Sequence, residues 1–323
     1  MWTEEEYTLN ISSLPITELI FKSFYNDFNP PLYYICAQLS LLITGGVEFS
    51  IRYPSTICGI LLIPTMFYLG KQYKDELTGL YCAGLTTIIL PFIYYSQFGR
   101  AYSMSLLFFA IVLVLYLRLK DGVNDTFTRV AFWVMIPINL YTHLFVVIPL
   151  SLMCIDLLFD RRNWLCGIGA TIASLPLVGM LVSVLSTRTH GAFDYGASPL
   201  QMIFLTFPEF FNTIFLNIIV LAGAGAWLYK NKINKMLILI TVVTLIVGVM
   251  GASITPMFPR YLMSVAIVIL LFCSVGMTEL TTLLNKKVGK NLDYIVMIGV
   301  FVIFLWMMWP NLESHYFMQQ YEC

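Results

Sequence analysis

Apolar runs recur along almost the whole chain, over 53–70, 78–96, 101–117, 164–186, 210–229, 236–256, 261–282 and 293–309, with short polar breaks between them. Each run approaches the roughly 20 apolar residues that a helix needs to cross the hydrocarbon core of a bilayer. The stretch 129–159 is too long for one such helix and carries a polar knot, Asn139-Leu-Tyr-Thr-His143, at its middle. It predicts two short helices meeting at the knot, with one long tilted helix as the alternative. The pattern as a whole predicts an all-α fold, a polytopic transmembrane helical bundle of about ten crossings. Residues 30–44 are different, because only about 14 apolar-leaning residues follow two prolines, short of a span. They predict a helix lying at the membrane interface or re-entering partway, with Tyr33 and Tyr34 near headgroup level. Pro30 and Pro31 suit its start, since first-turn amides have no intrahelical partner.

The basic residues between the runs alternate in number, and that sets sidedness. With ten crossings, Lys71, Lys74, Arg118, Lys120, Arg129, Arg161, Arg162, Lys230, Lys232, Lys235, Lys286, Lys287 and Lys290 share one side. Only Lys22, Arg52, Arg100, Arg188 and Arg260 share the other. The positive-inside rule makes the first group cytoplasmic and puts both termini outside. If 129–159 crossed once, every later loop would change sides and the bias would collapse, so parity favours two helices there.

Composition agrees with a membrane protein. Of the 323 residues, 59% are apolar and 11% charged, with a mean hydropathy of +0.81; a soluble domain has no use for that much apolar surface. Eighteen basic residues balance eighteen acidic ones, which argues against a nucleic-acid partner. The seven cysteines show no CxxC or other ligand spacing, and six lie in apolar runs, where a thiol acts as a small hydrophobe. Without an HxxxH pair, a phosphate-binding GxxxxGK[ST] or a GxGxxG, the chain does not support a zinc site, an ATP-driven pump or a dinucleotide enzyme.

The outer side collects a sparse polar set: Glu4-Glu5-Glu6, Asn29, Arg52, Gln97, Arg100, Tyr102, His143, Arg188, His190, Asp194, Glu209 and Arg260. Its cations are arginines save Lys22, whereas the cytoplasmic ones are mostly lysines. A guanidinium holds phosphate through a planar fork and stays charged in low dielectric. Arg100 and Arg260 both stand at helix mouths beside tyrosines; each alone reads equally as snorkelling to headgroups, but two at one depth point to a lipid-phosphate site. Helical spacing turns neighbouring glutamates to different faces, so one or two of Glu4, Glu5 and Glu6 face a site. A lone His143 reads either as a hydrogen-bonded structural residue or as a functional one at membrane depth.

Six motifs, in order, resemble those of the GT-C class of membrane glycosyltransferases. Within that class they are similar to relatives of dolichyl-phosphate-mannose-protein mannosyltransferases and of lipid A aminoarabinose transferases. Trp2-Thr-Glu-Glu-Glu-Tyr-Thr-Leu9 resembles an Asp-Glu-x-Tyr opening. Asn29-Pro-Pro-Leu-Tyr-Tyr34 resembles His-Pro-Pro-Leu-Tyr-Tyr at an outer juxtamembrane helix, and Arg52-Tyr-Pro-Ser55 resembles Arg-x-Pro-Ser. Tyr95-Ser-Gln-Phe-Gly-Arg-Ala-Tyr102 looks like Tyr-Ser-Gln-Glu-Ala-Arg-x-Tyr. Tyr141-Thr-His143 and Arg260-Tyr-Leu262 are similar to the remaining two. In this chain Glu4 stands for the family's Asp, Asn29 for its His and Phe98 for its Glu. The relatives have a spanning helix ahead of the acidic loop, whereas here Met1 stands directly before that loop and no signal peptide is expected.

The resemblance implies an outer-face acidic loop and juxtamembrane helix over 1–51, a transmembrane helical domain over 52–310 and an outer C-terminal tail over 311–323. It implies transfer of a sugar from a polyprenyl-phosphate donor to an acceptor hydroxyl on a protein, lipid or glycan at the outer face of the cell membrane. Glu4 or Glu5 would be the general base, and Arg100 and Arg260 would hold the donor phosphate. Asn29, Gln97, Tyr102 and His143 would position substrate, with no cofactor and no metal. The rival expectations are a flippase for the same lipid-linked sugar, which the few mid-membrane charges disfavour, and a non-catalytic relative that binds the lipid carrier.

Overall fold

The computed structural model describes residues 3–25, 29–123, 125–175, 215–231, 233–252, 258–288 and parts of 295–313, and these form helices and turns without a strand. The acidic segment, expected as a loop, is helical: α1 spans Thr3–Ser12 and α2 Ile16–Tyr25. Glu4, Glu5 and Glu6 fill the first turn of α1, where carboxylates meet the positive end of the helix dipole. Glu5, Thr8, Ile11 and Ser12 form its buried face, while Glu6 is exposed. The three glutamates are thus parted by helical geometry as the spacing predicts.

The interface helix, α3 (Leu32–Thr44), ends at Gly45, whose φ of 69° is a left-handed cap that favours glycine. Its 13 residues reach about 20 Å, too short for a span, as its composition predicts. Tyr33 and Tyr34 depart from expectation, since each is only 2% exposed. The Tyr33 hydroxyl lies 2.7 Å from the Ile51 carbonyl and 2.7 Å from Ser55 Oγ, so its polar tip is satisfied by the next helix rather than by headgroups. Gln38 Nε2 donates to the carbonyls of Ser12 and Leu14 at 2.9 and 2.6 Å, which docks α1 on α3.

Next come α4 (Val47–Tyr73), α5 (Glu76–Ile88), α6 (Leu90–Ser96), α7 (Tyr102–Lys120), α8 (Thr126–Leu140), α9 (Val147–Leu158) and α10 (Trp164–Ser174). After the undescribed residues 176–214 follow α11 (Phe215–Leu228), α12 (Asn234–Gly251) and α13 (Ser264–Val288). Helix α4 starts ahead of residue 52, so the expected domain boundary falls inside a helix. Four helices, α4, α7, α12 and α13, are long and apolar enough to cross a membrane, which makes this an integral membrane protein. The pair α5–α6 is bent by 63° at Ile89, just ahead of Leu90-Pro91, and makes a fifth span if its two helices cross together. About ten crossings exceed this number because α8, α9 and α11 hold only 15, 12 and 14 residues, below a full hydrocarbon thickness.

Polar contacts nevertheless order the legs. Tyr116 and Lys120, late in α7, bond Asp156, late in α9, at 2.6 and 2.8 Å. Asn163, just before α10, reaches the Leu119 carbonyl at 3.0 Å. At the other end of α7, Ser105 bonds Asn139 near the end of α8 at 3.2 Å. Helices α8 and α9 therefore run in opposite directions, and the polar knot is their turn, as the sequence predicts. At the end of the bundle where α4 finishes, Tyr73 bonds Asn234 at the start of α12, and Lys74 bonds Glu279 late in α13 at 2.8 Å. Helices α11 and α13 cross backbone to backbone: a Cβ on Gly276 would lie 2.1 Å from the Leu221 carbonyl oxygen, and one on Gly225 would lie 2.1 Å from that of Phe272. Small residues permit this approach where no hydrophobic drive separates helix from lipid.

Candidate active site

The site forms where α1 meets the turn between α6 and α7 and the 3₁₀ turn Pro259–Leu262 ahead of α13. Glu5 anchors it. Its side chain has no exposed surface and faces Arg52, on the first turns of α4. Arg52 Nε donates to Oε1 at 2.7 Å and an Nη to Oε2 at 2.6 Å, a two-pronged fork that suits a carboxylate. The Gly99 amide adds a third bond to Oε1 at 2.8 Å. A Cβ on Gly99 would stand 3.3 Å from that oxygen and 3.3 Å from Ile51 Cγ1, so glycine is what lets the turn close on the carboxylate.

The same turn aims Arg100. Ser55 Oγ, on α4, donates to the Arg100 carbonyl at 2.8 Å and fixes the backbone. The guanidinium then reaches α1: its Nε lies 3.6 Å from Glu4 Oε2, and an Nη lies 3.5 Å from both the Glu4 carbonyl and Thr8 Oγ1. Phe98 stacks on Tyr102 with centroids 6.5 Å apart and planes 6° apart. Arg100 is oriented by α1, and Phe98 contributes an aromatic shelf.

Arg260 closes the site from the opposite side. One of its Nη atoms donates to Glu4 Oε1 at 2.7 Å, and its guanidinium carbon lies over Phe258, 4.3 Å from the ring centroid, in a cation–π contact. The Glu4 side chain, 36% exposed, therefore stands between two guanidiniums. Its oxygens are not equivalent. Oε1 is bonded to Arg260, while Oε2 is buried and makes no hydrogen bond. Arg260 Nε is likewise buried without a hydrogen-bond partner.

His143 lies in the α8–α9 turn against Tyr102, Phe145 and Tyr261, with ring centroids 5.6, 5.9 and 5.8 Å away. Burial, then the positive charges of Arg100 and Arg260, draw its pKa down to about 4, so the ring is neutral near pH 7. A small cavity opens between His143, Tyr102, Ser105, Arg260, Tyr261 and Ser264, and Ser264 Oγ is buried there without a hydrogen-bond partner.

Of the residues singled out from the sequence, Glu4, Arg100 and Arg260 converge, with Tyr102 and His143 packed beside them. Glu5 is adjacent but has both oxygens committed to Arg52 and Gly99. Asn29 and Gln97 stand in the adjoining turns, before α3 and after α6; the Asn29 carbonyl accepts from the Ser23 hydroxyl at 2.8 Å. Arg188, His190, Asp194 and Glu209 lie outside the described residues. The sequence reading missed Arg52 as a partner of Glu5, and Thr8, Ser55 and Gly99 as supports. A signal existed for Arg52, because an arginine within an apolar helix needs an anion at that depth.

A scan against protein-family models finds no match, and no curated protein matches the chain. Solved structures share its fold, two ArnT structures among them. One is ArnT from Cupriavidus metallidurans bound to undecaprenyl phosphate, at a TM-score of 0.67 and 13% identity, over 99% of this chain and 68% of that one. The other is ArnT from Cupriavidus metallidurans in the apo state, at 0.64 and 14%, over 98% and 67%. At these identities the likeness is one of fold.

Proposed function

We propose that this protein is a GT-C-type glycosyltransferase that moves a sugar from a polyprenyl-phosphate carrier to an acceptor hydroxyl. The observation that carries the reading is the Glu4 carboxylate set between Arg100 and Arg260, with Oε1 hydrogen-bonded to Arg260 and Oε2 ion-paired to Arg100 at 3.6 Å but making no hydrogen bond. An ArnT-like fold supports it, since an ArnT structure is described as bound to undecaprenyl phosphate. The order of the six motifs along the chain supports it independently of the fold.

In the reaction, the acceptor oxygen attacks the anomeric carbon of the donor and the carbon–oxygen bond to phosphate breaks. The electron pair leaves on the phosphate oxygen, and Arg100 and Arg260 stabilise the charge that develops there. Glu4 Oε2 takes the acceptor proton, which requires an approach of roughly 3 Å. Glu5 is reassigned from base to anchor, because a fully buried carboxylate bonded by three N–H groups has no oxygen to offer. His143, neutral, and Tyr102 line the cavity beside Arg260 and position substrate. Leaving-group charge on one phosphate oxygen is met by two guanidiniums, so the scheme uses no metal.

The site faces outside in this reading, and about ten crossings are reached if the short legs α8, α9, α10 and α11 and the apolar run 293–309 each cross as well. The acceptor, whether protein, lipid or glycan, enters at the same face. Transfer of radiolabelled sugar from a polyprenyl-phosphate donor in detergent micelles tests the assignment. Glu4→Gln abolishes transfer and Glu6→Gln leaves it intact; full transfer by the Glu4→Gln, Glu5→Gln double variant would refute the base assignment.

A further inference from the structure

We propose that the Glu4 carboxylate and the donor phosphate are alternative occupants of Arg260 and Arg100, so that seating the donor is what releases the base. The proposal rests on the phosphate-clamp reading above and adds a coupling between clamp and base.

The geometry behind it is local. Glu4 Oε1 accepts from Arg260 at 2.7 Å, and Oε2 faces Arg100 Nε at 3.6 Å. Both guanidiniums are largely buried, 23% and 13% exposed, so neither exchanges its anion freely with water. A phosphate that takes the same forks brings a second negative charge within a few ångströms of the carboxylate. Like charges at such range in a partly buried site repel strongly, and one of them must give way.

What gives way is set by how each is held. The backbone of α1 cannot retreat, because Glu5, one residue on, is bonded to Arg52 and Gly99 at 2.6 to 2.8 Å. Gln38 pins the far end of the same helix. The Glu4 side chain is the mobile part: it has three rotatable bonds and is 36% exposed. It swings off Arg260, and its oxygens turn from the guanidiniums to the acceptor. Arg260 Nε, buried and without a hydrogen-bond partner, is a donor ready for a phosphate oxygen. Without the donor the carboxylate stays on its counter-ions, Oε1 hydrogen-bonded to Arg260 and Oε2 facing Arg100, and water at the site meets a base held between two positive charges. This ordering would keep the base from acting before a sugar is present.

Removing the carboxylate should therefore help the carrier bind while destroying transfer. Equilibrium binding of radiolabelled undecaprenyl phosphate to the full chain in micelles is measured for the parent, Glu4→Gln, Glu6→Gln, Arg260→Gln and the Glu4→Gln, Arg260→Gln double variant. Glu4→Gln should bind on the order of threefold to tenfold tighter than the parent, the range expected for breaking partly exposed ion pairs. Glu6→Gln should bind as the parent does. In the Arg260→Gln background the gain from Glu4→Gln should shrink to less than half, because the main ion pair is already gone. Glu4→Gln binding no tighter than the parent overturns the exchange while leaving the clamp intact. A gain that persists undiminished without Arg260 overturns it too, since it would then be simple repulsion at a distance. A parent chain that does not bind undecaprenyl phosphate overturns the clamp, and the exchange with it.

Discussion

Replacing Arg52 by glutamine should destabilise the protein more than replacing its partner Glu5, and the asymmetry follows from burial. Glu5 has no exposed side-chain surface, whereas Arg52 is 33% exposed. In Arg52→Gln the carboxylate loses two of these three bonds, keeps the Gly99 amide, and remains a buried charge deprived of the Arg52 guanidinium. Such a loss costs about 3–5 kcal/mol, and partial exposure of the pair moves it toward about 3 kcal/mol. In Glu5→Gln the guanidinium turns to water, and the new amide oxygen still accepts from Gly99, so about 1–2 kcal/mol is lost. The double variant pairs two neutral amides and should fall about 2 kcal/mol below the parent, well short of the sum, for a coupling of at least about 1.5 kcal/mol. Denaturant titration of the four proteins in micelles gives all the terms. Effects that add within about 0.5 kcal/mol, or a Glu5→Gln variant less stable than Arg52→Gln, would refute the view that this pair is the anchor of α1.

Two further outcomes probe the charged site. Arg260→Lys keeps the charge but not the planar fork, so kcat/KM for the donor should fall about tenfold, equivalent to about 1–2 kcal/mol; a variant that matches the parent would show that Arg260 only packs on Phe258. His143 is neutral in the fold down to about pH 4 and titrates near 6.5 when unfolded, so the unfolded chain binds the extra proton between those values. Stability should accordingly decline as pH falls from 6.5 toward 4, by up to about 3 kcal/mol. Melting curves of the parent and His143→Gln across that window should converge at low pH, and parallel curves would remove the burial argument.

Much of this molecule is legible in one dimension. Crossing a bilayer demands long apolar helices, and that demand writes itself into the sequence at 101–117 and 261–282, where α7 and α13 appear. The polar knot at 139–143 marked the turn between α8 and α9 because hydrogen-bonding groups interrupt an apolar run only where something satisfies them. Arg100 and Arg260 were identifiable because cations at helix mouths are few. Other features depended on distance between remote segments. The acidic stretch carries no strong apolar period, and its helix is seen only once Glu5 finds Arg52, 47 residues away. Glu4 and Glu5 are alike in sequence, yet one faces two guanidiniums and the other is enclosed. By sequence alone Tyr33 is a headgroup residue, because one dimension does not show that Ser55 and the Ile51 carbonyl meet its hydroxyl. Composition and spacing determine which segments leave water, because that is a property of each segment alone. Which carboxylate becomes the candidate base is a property of pairs, 96 and 256 positions apart for Glu4 with Arg100 and Arg260, and only the packed bundle brings such pairs within bonding distance.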